Sequence, residues 1–486
     1  MELYSETENY KLYHGDMNDL NAVIPDGSID CIVTDPPYEL GFMGKSWDAS
    51  GVAFRKETWK HCYDVLKPGG YLLAFGGSRT FHRIACAVED AGFEIRDVIM
   101  WLYGTGFPKS MNIGKAVEAK ITHGSANTQE FKHLQGKKEI AGGWGLNKFS
   151  ADYGHRPRDY TMDGHQRTVE VEYQSEEGKQ WDGWGTALKP SYEPIIVARK
   201  PFDGSCTDNV LTYGVGGLNI DECRIGDEVI KGGTAPDFRD IGEKSKKEIG
   251  VDKLSFGQVR NAKRIAYEDH TGRYPANTIL TYDDTDYDEV CGGFPDGGKN
   301  GSISKPYKMN NRVYGDYGYC NTWQAYDDEG SASRYFYCAK ASTRDRDEGL
   351  EAFDTTQCVG GGGGIGDYLL DVNSCSGKFG SEKAPHKNNH PTVKPTSLLQ
   401  YLIRLVAPSG ATILDPFMGS GSTGKAAMYE NKDRQKGYKF IGIELTGEYL
   451  PVAQARINYA IGNDMPVQYK PVKKKTDQKQ VTMWDV

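Results

Sequence analysis

Ala411-Thr-Ile-Leu-Asp415-Pro-Phe-Met-Gly419-Ser-Gly421-Ser-Thr-Gly424-Lys425 is the stretch on which the fold turns. A short apolar run, residues 411–414, ends at an acid and a proline. It passes through three glycines spaced G-x-G-x-x-G and gives way to helical spacing over residues 423–430. Strand, tight turn, helix is the reading. Glycines at this spacing let a chain turn tightly beside a ligand. Glu444, twenty residues beyond Gly424, ends the next predicted strand (440–444), where a carboxylate accepts both hydroxyls of a ribose. The pattern points to a nucleotide-type cofactor, with a plain glycine-rich strand–helix turn as the alternative. A phosphate-binding P-loop shares Gly419 to Lys425, but residue 426 is Ala where the Mg²⁺ ligand must be Ser or Thr.

Outward from this turn, residues 396–406 and 449–459 read as helices, so the C-terminal end alternates helix and strand. The first hundred residues alternate in the same way. Strands are predicted at 10–13, 29–34, 71–75 and 93–101, and helices at 59–66 and 78–91, the first stopped by Lys67-Pro68-Gly69-Gly70. Such alternation builds a parallel or mostly parallel sheet. Neither end carries enough strands alone, so both ends are expected to build one sheet. Between about residues 104 and 385 the periodicity breaks down into Gly, Asp, Tyr, Asn and Lys, with short strand-like runs at 195–198 and 278–281. Five glycines at 360–364 read as a flexible joint. The division expected is 1–110 and 385–463 for the two halves of the sheet domain, 111–384 for an insertion, and 464–486 for a tail.

Composition sets the outer limits. A chain of 486 residues admits two to four domains, or one with a large insertion. Hydrophobic residues at 38% and charged residues at 26%, with 59 Gly, give a real core diluted by loops. No apolar run approaches the ~20 residues that cross a bilayer. The opening Met1-Glu-Leu-Tyr-Ser-Glu-Thr-Glu8 has neither the basic nor the apolar part of a secretory leader. Ten Cys include no Cys-x-x-Cys pair, which removes the structural zinc patterns, and a disulfide framework is unexpected in so long a chain. The expectation is a cytoplasmic protein with no metal and no membrane partner. The net charge of -9 does not favour nucleic acid, yet phosphate contacts depend on a local patch. Residues 109–148 hold seven Lys against three Glu, and His155, Arg156 and Arg158 follow, while acid gathers at 283–289. A mixed solvated surface is the plainer reading of any one of these runs.

A second motif decides the chemistry. Asp35-Pro36-Pro37-Tyr38 follows the buried-type strand 29–34. The two prolines fix the backbone and present the Asp35 carboxylate and the Pro36 carbonyl as rigid, adjacent acceptors, with the Tyr38 ring beside them. An exocyclic amino group is a poor nucleophile because its lone pair is delocalised into the base. Two acceptors on its N–H bonds draw it towards a tetrahedral nitrogen, and an aromatic ring stacks on a base that has left its helix. A strand-ending turn is the plainer alternative. Glu39 to Trp47, just beyond, could close over such a base, and Phe42 and Trp47 fit equally well inside the fold.

Thr34-Asp35-Pro36-Pro37-Tyr38 early and Asp415-Pro416-Phe417-Met418-Gly419-Ser420-Gly421 late resemble the amino-group DNA methyltransferases that use S-adenosylmethionine. Their order, with the long insert between, resembles the β class. Asn389-His390-Pro391-Thr392-Val393-Lys394-Pro395 is similar to the segment that precedes the cofactor strand in that class, and Tyr13-His14-Gly15-Asp16 to the one before its catalytic strand. Trp101-Leu-Tyr-Gly-Thr-Gly-Phe-Pro-Lys-Ser110 and Leu188-Lys-Pro-Ser-Tyr-Glu-Pro-Ile195 resemble phage and prophage members.

The resemblance covers about residues 10–110 and 385–460. It implies a Rossmann-like α/β fold, a seven-strand methyltransferase sheet built from both chain ends, with an inserted target-recognition domain. Asp35, Pro36, Pro37 and Tyr38 would be catalytic. Phe417, Gly419, Gly421 and Glu444 would hold the cofactor, with Asp16, Lys394, Pro395 and Asp415 nearby. The substrate would be double-stranded DNA. Asp at the first motif position implies adenine N6, with cytosine N4 as the alternative. Rivals from other classes are an NAD-linked oxidoreductase, which expects its glycine fingerprint on the first strand, and a DNA-binding protein without catalysis.

Beyond about residue 463 the chain is polar and basic, with Lys473, Lys474, Lys475 and Lys479 forming a linker, and ends Gln480-Val-Thr-Met483-Trp484-Asp-Val486. One reading folds Met483 and Trp484 back onto their own domain. The other is a docking peptide similar to the short motif by which bacterial replication proteins bind the sliding clamp, with Gln480 at the pocket edge and Met483 and Trp484 as anchors.

Overall fold

The computed structural model describes residues 1–40, 46–103, 110–124, 135–139, 167–171, 173–232, 234–236, 264–281, 296–297, 307–311, 315–320, 330–331, 337–338, 343–353 and 387–462. Ten strands form one sheet: β1 (Glu2–Glu6), β2 (Tyr10–His14), β3 (Ile29–Thr34), β4 (Leu66–Phe75), β5 (Glu94–Tyr103), β6 (Tyr192–Arg199), β7 (Thr278–Thr281), β8 (Tyr337–Cys338), β9 (Thr412–Asp415) and β10 (Lys439–Glu444). Their spatial order is β1-β2-β10-β9-β3-β4-β6-β5-β7-β8. Helices α1 (Lys56–Val65) and α2 (Phe81–Asp90) cover one face, and α3 (Thr396–Val406), α4 (Ser422–Arg434) and α5 (Leu450–Ile461) the other.

The two cores follow from the period of the strands. Along β3, Cys31 and Val33 face the core made with α3, α4 and α5, while Ile32 faces the core made with α1 and α2. Every residue of β3 is buried, as expected for a strand covered on both sides. Its one acid, Asp30, is satisfied by Lys67 Nζ at 2.6 Å and by the backbone N–H of Thr412 at 2.7 Å. That carboxylate ties β3 to the start of β4 and to the start of β9.

The expected seven-strand sheet lies within the ten-stranded one as the run β2-β10-β9-β3-β4-β6-β5, six of whose strands come from the two chain ends. Its sixth strand corrects the expected boundaries. β6 lies within residues 111–384, which the sequence assigned to the insertion. It runs antiparallel between β4 and β5, with Leu73 opposite Val197 on one side and Ile99 opposite Ile195 on the other. Ile195 and Val197 enter one core, Ile196 and Ala198 the other. A strand with no polar face is stable only inside a sheet covered on both sides, which is why it leaves the insertion. β7 and β8 extend the same edge, and β1 lies antiparallel outside β2. The rest of 111–384 that is described consists of short helices and five two-stranded ribbons.

Phe42, the side chain of Trp47, residues 104–109, the basic residues His155, Arg156 and Arg158, the acidic run 283–289, the glycines at 360–364 and the whole tail with Gln480, Met483 and Trp484 lie outside the described residues. No described helix is long and apolar enough to cross a membrane.

Candidate active site

Strand order reverses at β9, which has β10 on one side and β3 on the other, all parallel. The crevice beyond the C-terminal ends of strands at such a reversal is where open α/β sheets bind ligands. Asp415 ends β9, and Asp35 stands one residue past the end of β3, so both motifs meet here. Thr34 Oγ1 donates to Asp415 Oδ1 at 2.7 Å, as does the Phe417 N–H at 3.1 Å, and Thr423 Oγ1 donates to Oδ2 at 2.7 Å. Burial pushes the Asp415 carboxyl up to about 7, against the pull of these donors. Both of its oxygens are thus engaged in joining β3, the glycine turn and α4.

Asp35 is held differently. Lys394 Nζ donates to its Oδ2 at 2.7 Å, while its Oδ1 is buried without a hydrogen-bond partner among the described residues. An unpartnered buried acceptor is costly and marks a place where a ligand's donor belongs. Burial raises the Asp35 carboxyl, Lys394 opposes that shift and Glu193 adds to it. Lys394 is itself almost fully buried and lies 3.3 Å from Glu193 Oε2, with the rings of Tyr38 and Phe75 at 5.2 and 5.1 Å from its Nζ. Burial works against its charge, but the two carboxylates prevail and hold its pKa above the ordinary lysine value. Tyr38 donates its hydroxyl to Glu193 Oε2 at 2.6 Å, and its carbonyl accepts from Thr80 Oγ1 at 2.8 Å. Burial and the adjacent carboxylates push the phenol well above its ordinary value, so it stays a neutral donor. Pro36 is buried and Pro37 partly so, which completes a rigid turn.

The residues expected to hold a cofactor stand at and near the neighbouring strand ends. Glu444 ends β10 and is buried, with Oε2 accepting from the Gly419 N–H at 2.8 Å and Oε1 from the Thr446 N–H at 2.7 Å. Each oxygen keeps acceptor capacity. Register pairs His14 with Glu444 across β2 and β10, which sets exposed Asp16 just beyond the neighbouring strand end. There Asp16 Oδ1 caps a short 3₁₀ helix through the Asn18 N–H at 2.9 Å. Phe417 is partly buried against Trp59, with ring centroids 6.4 Å apart. Gly419 and Gly421 have φ of +53° and +76°, the left-handed region that favours glycine. A Cβ on Gly421 would fall 2.9 Å from the Ala453 backbone, so only glycine lets this turn lie against α5. Pro395 is buried and directly precedes α3, which places Lys394 at the helix entrance.

Three residues that organise this site were not singled out by the sequence. Glu193 is the second residue of β6 and lies inside the stretch 188–195, which the sequence marks only by a family resemblance and without a role, ahead of a purely apolar run. Arg456 of α5 is fully buried and donates to the Ser420 carbonyl at 2.8 Å and to the hydroxyls of Ser420 and Ser422 at 3.0 and 2.9 Å. Asp345 accepts from the Thr396 N–H at 2.7 Å and so caps α3. Lys425, the residue a P-loop would aim at phosphate, is fully buried and points at Asp345 and Glu348 instead, at 2.7 and 2.9 Å. Among the described residues no cluster of three or more His, Cys, Asp or Glu is placed to hold a metal ion.

The family described as DNA methylase matches this chain over residues 29–455. The chain is 41% identical over 93 residues to the type II methyltransferase M2.LlaDCHI of Lactococcus lactis subsp. cremoris, covering 19% of this chain and 32% of that protein. It is 39% identical over 88 residues to the DNA adenine methyltransferase YhdJ of Escherichia coli K12, covering 18% and 28%. It thus spans about a third or less of the length of these curated relatives. Among solved structures, the M1.HpyAVI–SAM complex aligns over 92% of this chain and 100% of that one, at 14% identity and a TM-score of 0.31.

Proposed function

The chain belongs to the DNA methylase family, and we propose that it transfers the methyl group of S-adenosylmethionine to the N6 amino group of an adenine flipped out of double-stranded DNA. One observation carries this reading. Asp35 has one oxygen clamped by Lys394 and the other buried and open, at the strand reversal and next to the glycine turn. A carboxylate so arranged accepts one N–H of an exocyclic amino group, and the Pro36 carbonyl would accept the other. Tyr38, fixed through its hydroxyl, would stack on the base.

The donor set fits S-adenosylmethionine. Glu444 would accept the ribose hydroxyls and exposed Asp16 the adenine amino group of the cofactor. Phe417 would supply an apolar wall, and Gly419 and Gly421, braced by Asp415 and Arg456, would leave room for the close approach of the backbone. When bound, S-adenosylmethionine supplies an electrophilic methyl group whose C–S bonding pair stays on sulfur as the N–C bond forms. The chain's own part is orientation and custody of the one proton that the amino nitrogen loses. Asp35 Oδ1 is the atom placed to take it.

Adenine is favoured over cytosine by Asp at the first motif position and by the name of the relative YhdJ. Mass spectrometry of nucleosides from methylated duplex DNA tests it. N6-methyladenine is expected, and N4-methylcytosine would keep the mechanism and overturn the base. Transfer of label from S-adenosylmethionine, and none from NAD, separates this function from an oxidoreductase, and absence of transfer would leave a DNA-binding protein. Recognition of the surrounding sequence by the parts of 111–384 outside the sheet belongs to the same proposal. So does docking of Gln480, Met483 and Trp484 on a bacterial sliding clamp, tested by pull-down of the clamp with the last ten residues as a peptide.

A further inference from the structure

A second carboxylate stands in the site where the proposed chemistry names one. Because β6 is antiparallel, its first residues lie at the C-terminal ends of the parallel strands, with Glu193 opposite Trp101 of β5. The Gly76 N–H donates to the Pro194 carbonyl at 2.9 Å and pins this end of β6 to the end of β4. Glu193 Oε2 accepts from Tyr38 at 2.6 Å and faces Lys394 Nζ at 3.3 Å, while Oε1 accepts from Tyr103 at 3.4 Å. The groups around Asp35 are therefore Lys394, Glu193 and Tyr38, with Asp415 behind and Tyr103 on the far side of Glu193. His390, next to Lys394, is held neutral by burial, which pushes it down to about 3.

Resting on the methyl-transfer reading, we propose that Glu193 is a positioning residue that fixes Tyr38 against the target base and shares Lys394 with Asp35, so that Asp35 Oδ1 stays open to the amino proton. Charge counting gives the reason. Asp35 and Lys394 alone would form a neutral buried pair, and an ammonium committed to one carboxylate makes that carboxylate a weak base. Two carboxylates about one ammonium leave the site with a net charge of −1, which becomes neutral once Asp35 Oδ1 holds the proton. The site is thus complementary to the positive charge that develops on the amino nitrogen, in surroundings where burial magnifies it. Glu193 also raises the Asp35 carboxyl, in the sense that strengthens it as a proton acceptor.

Glu193→Gln keeps an acceptor for Tyr38 and removes only the charge. In the full chain with labelled S-adenosylmethionine and duplex DNA, single-turnover transfer is expected to fall about 10- to 100-fold in this variant. The acid limb of its pH profile should move down by about one pH unit, with cofactor affinity unchanged. Glu193→Asp, which keeps the charge, should restore the position of the acid limb. The carbon-13 signal of the Asp35 carboxyl, titrated in wild type and Glu193→Gln, reads the same coupling without turnover and should titrate at lower pH in the variant. An Asp35 titration that does not move, or a Glu193→Gln enzyme with the wild-type rate and acid limb, overturns the role of Glu193. A wild-type chain that transfers no methyl while the Asp35 titration still moves instead overturns the methyl-transfer reading and leaves the coupling in place.

Discussion

The hydroxyl of Thr34 donates to Asp415 Oδ1 at 2.7 Å, so the last residues of β3 and β9, 381 positions apart in the chain, are one hydrogen bond apart in space. Because Asp415 also accepts from Phe417 and Thr423, this bond fixes the Asp35 turn relative to the glycine turn. A proton acceptor and a cofactor cradle set by separate loops would drift against each other, and an error of about 1 Å between reacting atoms costs roughly 10²-fold in rate.

Asp415→Ala should therefore destabilise the fold by at least about 2 kcal/mol, since it strands buried donors on Thr34, Phe417 and Thr423. Asp415→Asn should cost far less, because its oxygen serves Thr34 and Phe417 and the Thr423 hydroxyl can turn to accept from the new amide. The sign with pH follows from a carboxyl whose folded value, about 7, lies above the unfolded one. Its contribution is complete below an unfolded pKa of about 3.9, and it is lost as pH rises through about 7. Urea titrations of wild type and Asp415→Asn at acid and neutral pH check this. An unchanged slope of stability with pH in the Asn variant would contradict it.

Asp35→Ala should leave S-adenosylmethionine affinity within a few-fold and lower methyl transfer by ~10²–10⁴, the range for losing an acid–base group. Asp35 Oδ1 is the open acceptor, whereas Phe417, Gly419, Gly421 and Glu444, assigned to the cofactor, lie beyond Asp415 and at the end of β10. Single-turnover transfer and calorimetric titration, run on the same preparation, separate the two effects. Substantial residual transfer removes Asp35 from the mechanism.

Local pattern made half of this site legible and non-local pairing hid the rest. The Asp35 turn and the Gly419–Gly421 turn are each strand, turn and helix or loop in unbroken sequence, so chemistry and position could be read together. Glu193 lies in the family-like stretch 188–195 but its role stayed hidden, because its place depends on β6 crossing antiparallel between β4 and β5, which local pattern does not show. Lys425 was legible only as a question. Ala426 ruled out a P-loop, but the partners of Lys425, Asp345 and Glu348, lie about eighty residues earlier, in a segment read as insertion. Arg456 was invisible for a related reason: in sequence it is one cation on an amphipathic helix, and only the approach of α5 to Gly421 turns it inward.

Glu444→Ala should weaken S-adenosylmethionine binding by about 1.5–3 kcal/mol if the carboxylate accepts both ribose hydroxyls. The carboxylate also orders the Gly419 and Thr446 amides, so Glu444→Gln is the finer test. Its remaining carbonyl oxygen can keep one amide, and its loss of affinity should be smaller than that of Ala. Calorimetric titration of both variants measures this, and unchanged affinity in Glu444→Ala would reopen the assignment of the strand-end acid.

Lys425→Met should be among the more damaging substitutions outside the reacting groups, at about 3 kcal/mol, because it removes a fully buried ammonium from two partly buried carboxylates. The fully buried ammonium donates to the Asp345 carbonyl at 2.9 Å and lies 2.7 Å from Asp345 Oδ1 and 2.9 Å from Glu348 Oε2. Burial alone would raise both carboxyls, but Lys425 and the neighbouring hydroxyl donors hold them below their ordinary values. Their contribution is therefore present above the unfolded carboxylate pKa and lost as pH falls through the depressed folded values. Without Lys425 those folded values rise, so acid unfolding of Lys425→Met should begin at higher pH than in wild type. The damage should also reach the site. Asp345 caps α3 through Thr396, and Lys394, the partner of Asp35, stands two residues before that cap. Hydrogen exchange should therefore quicken over residues 343–353 and 387–396 before it does in β3 and β9, and methyl transfer should fall by more than cofactor affinity does. Exchange that quickens evenly across the whole sheet would mean that Lys425 supports only the core and not the entrance of α3.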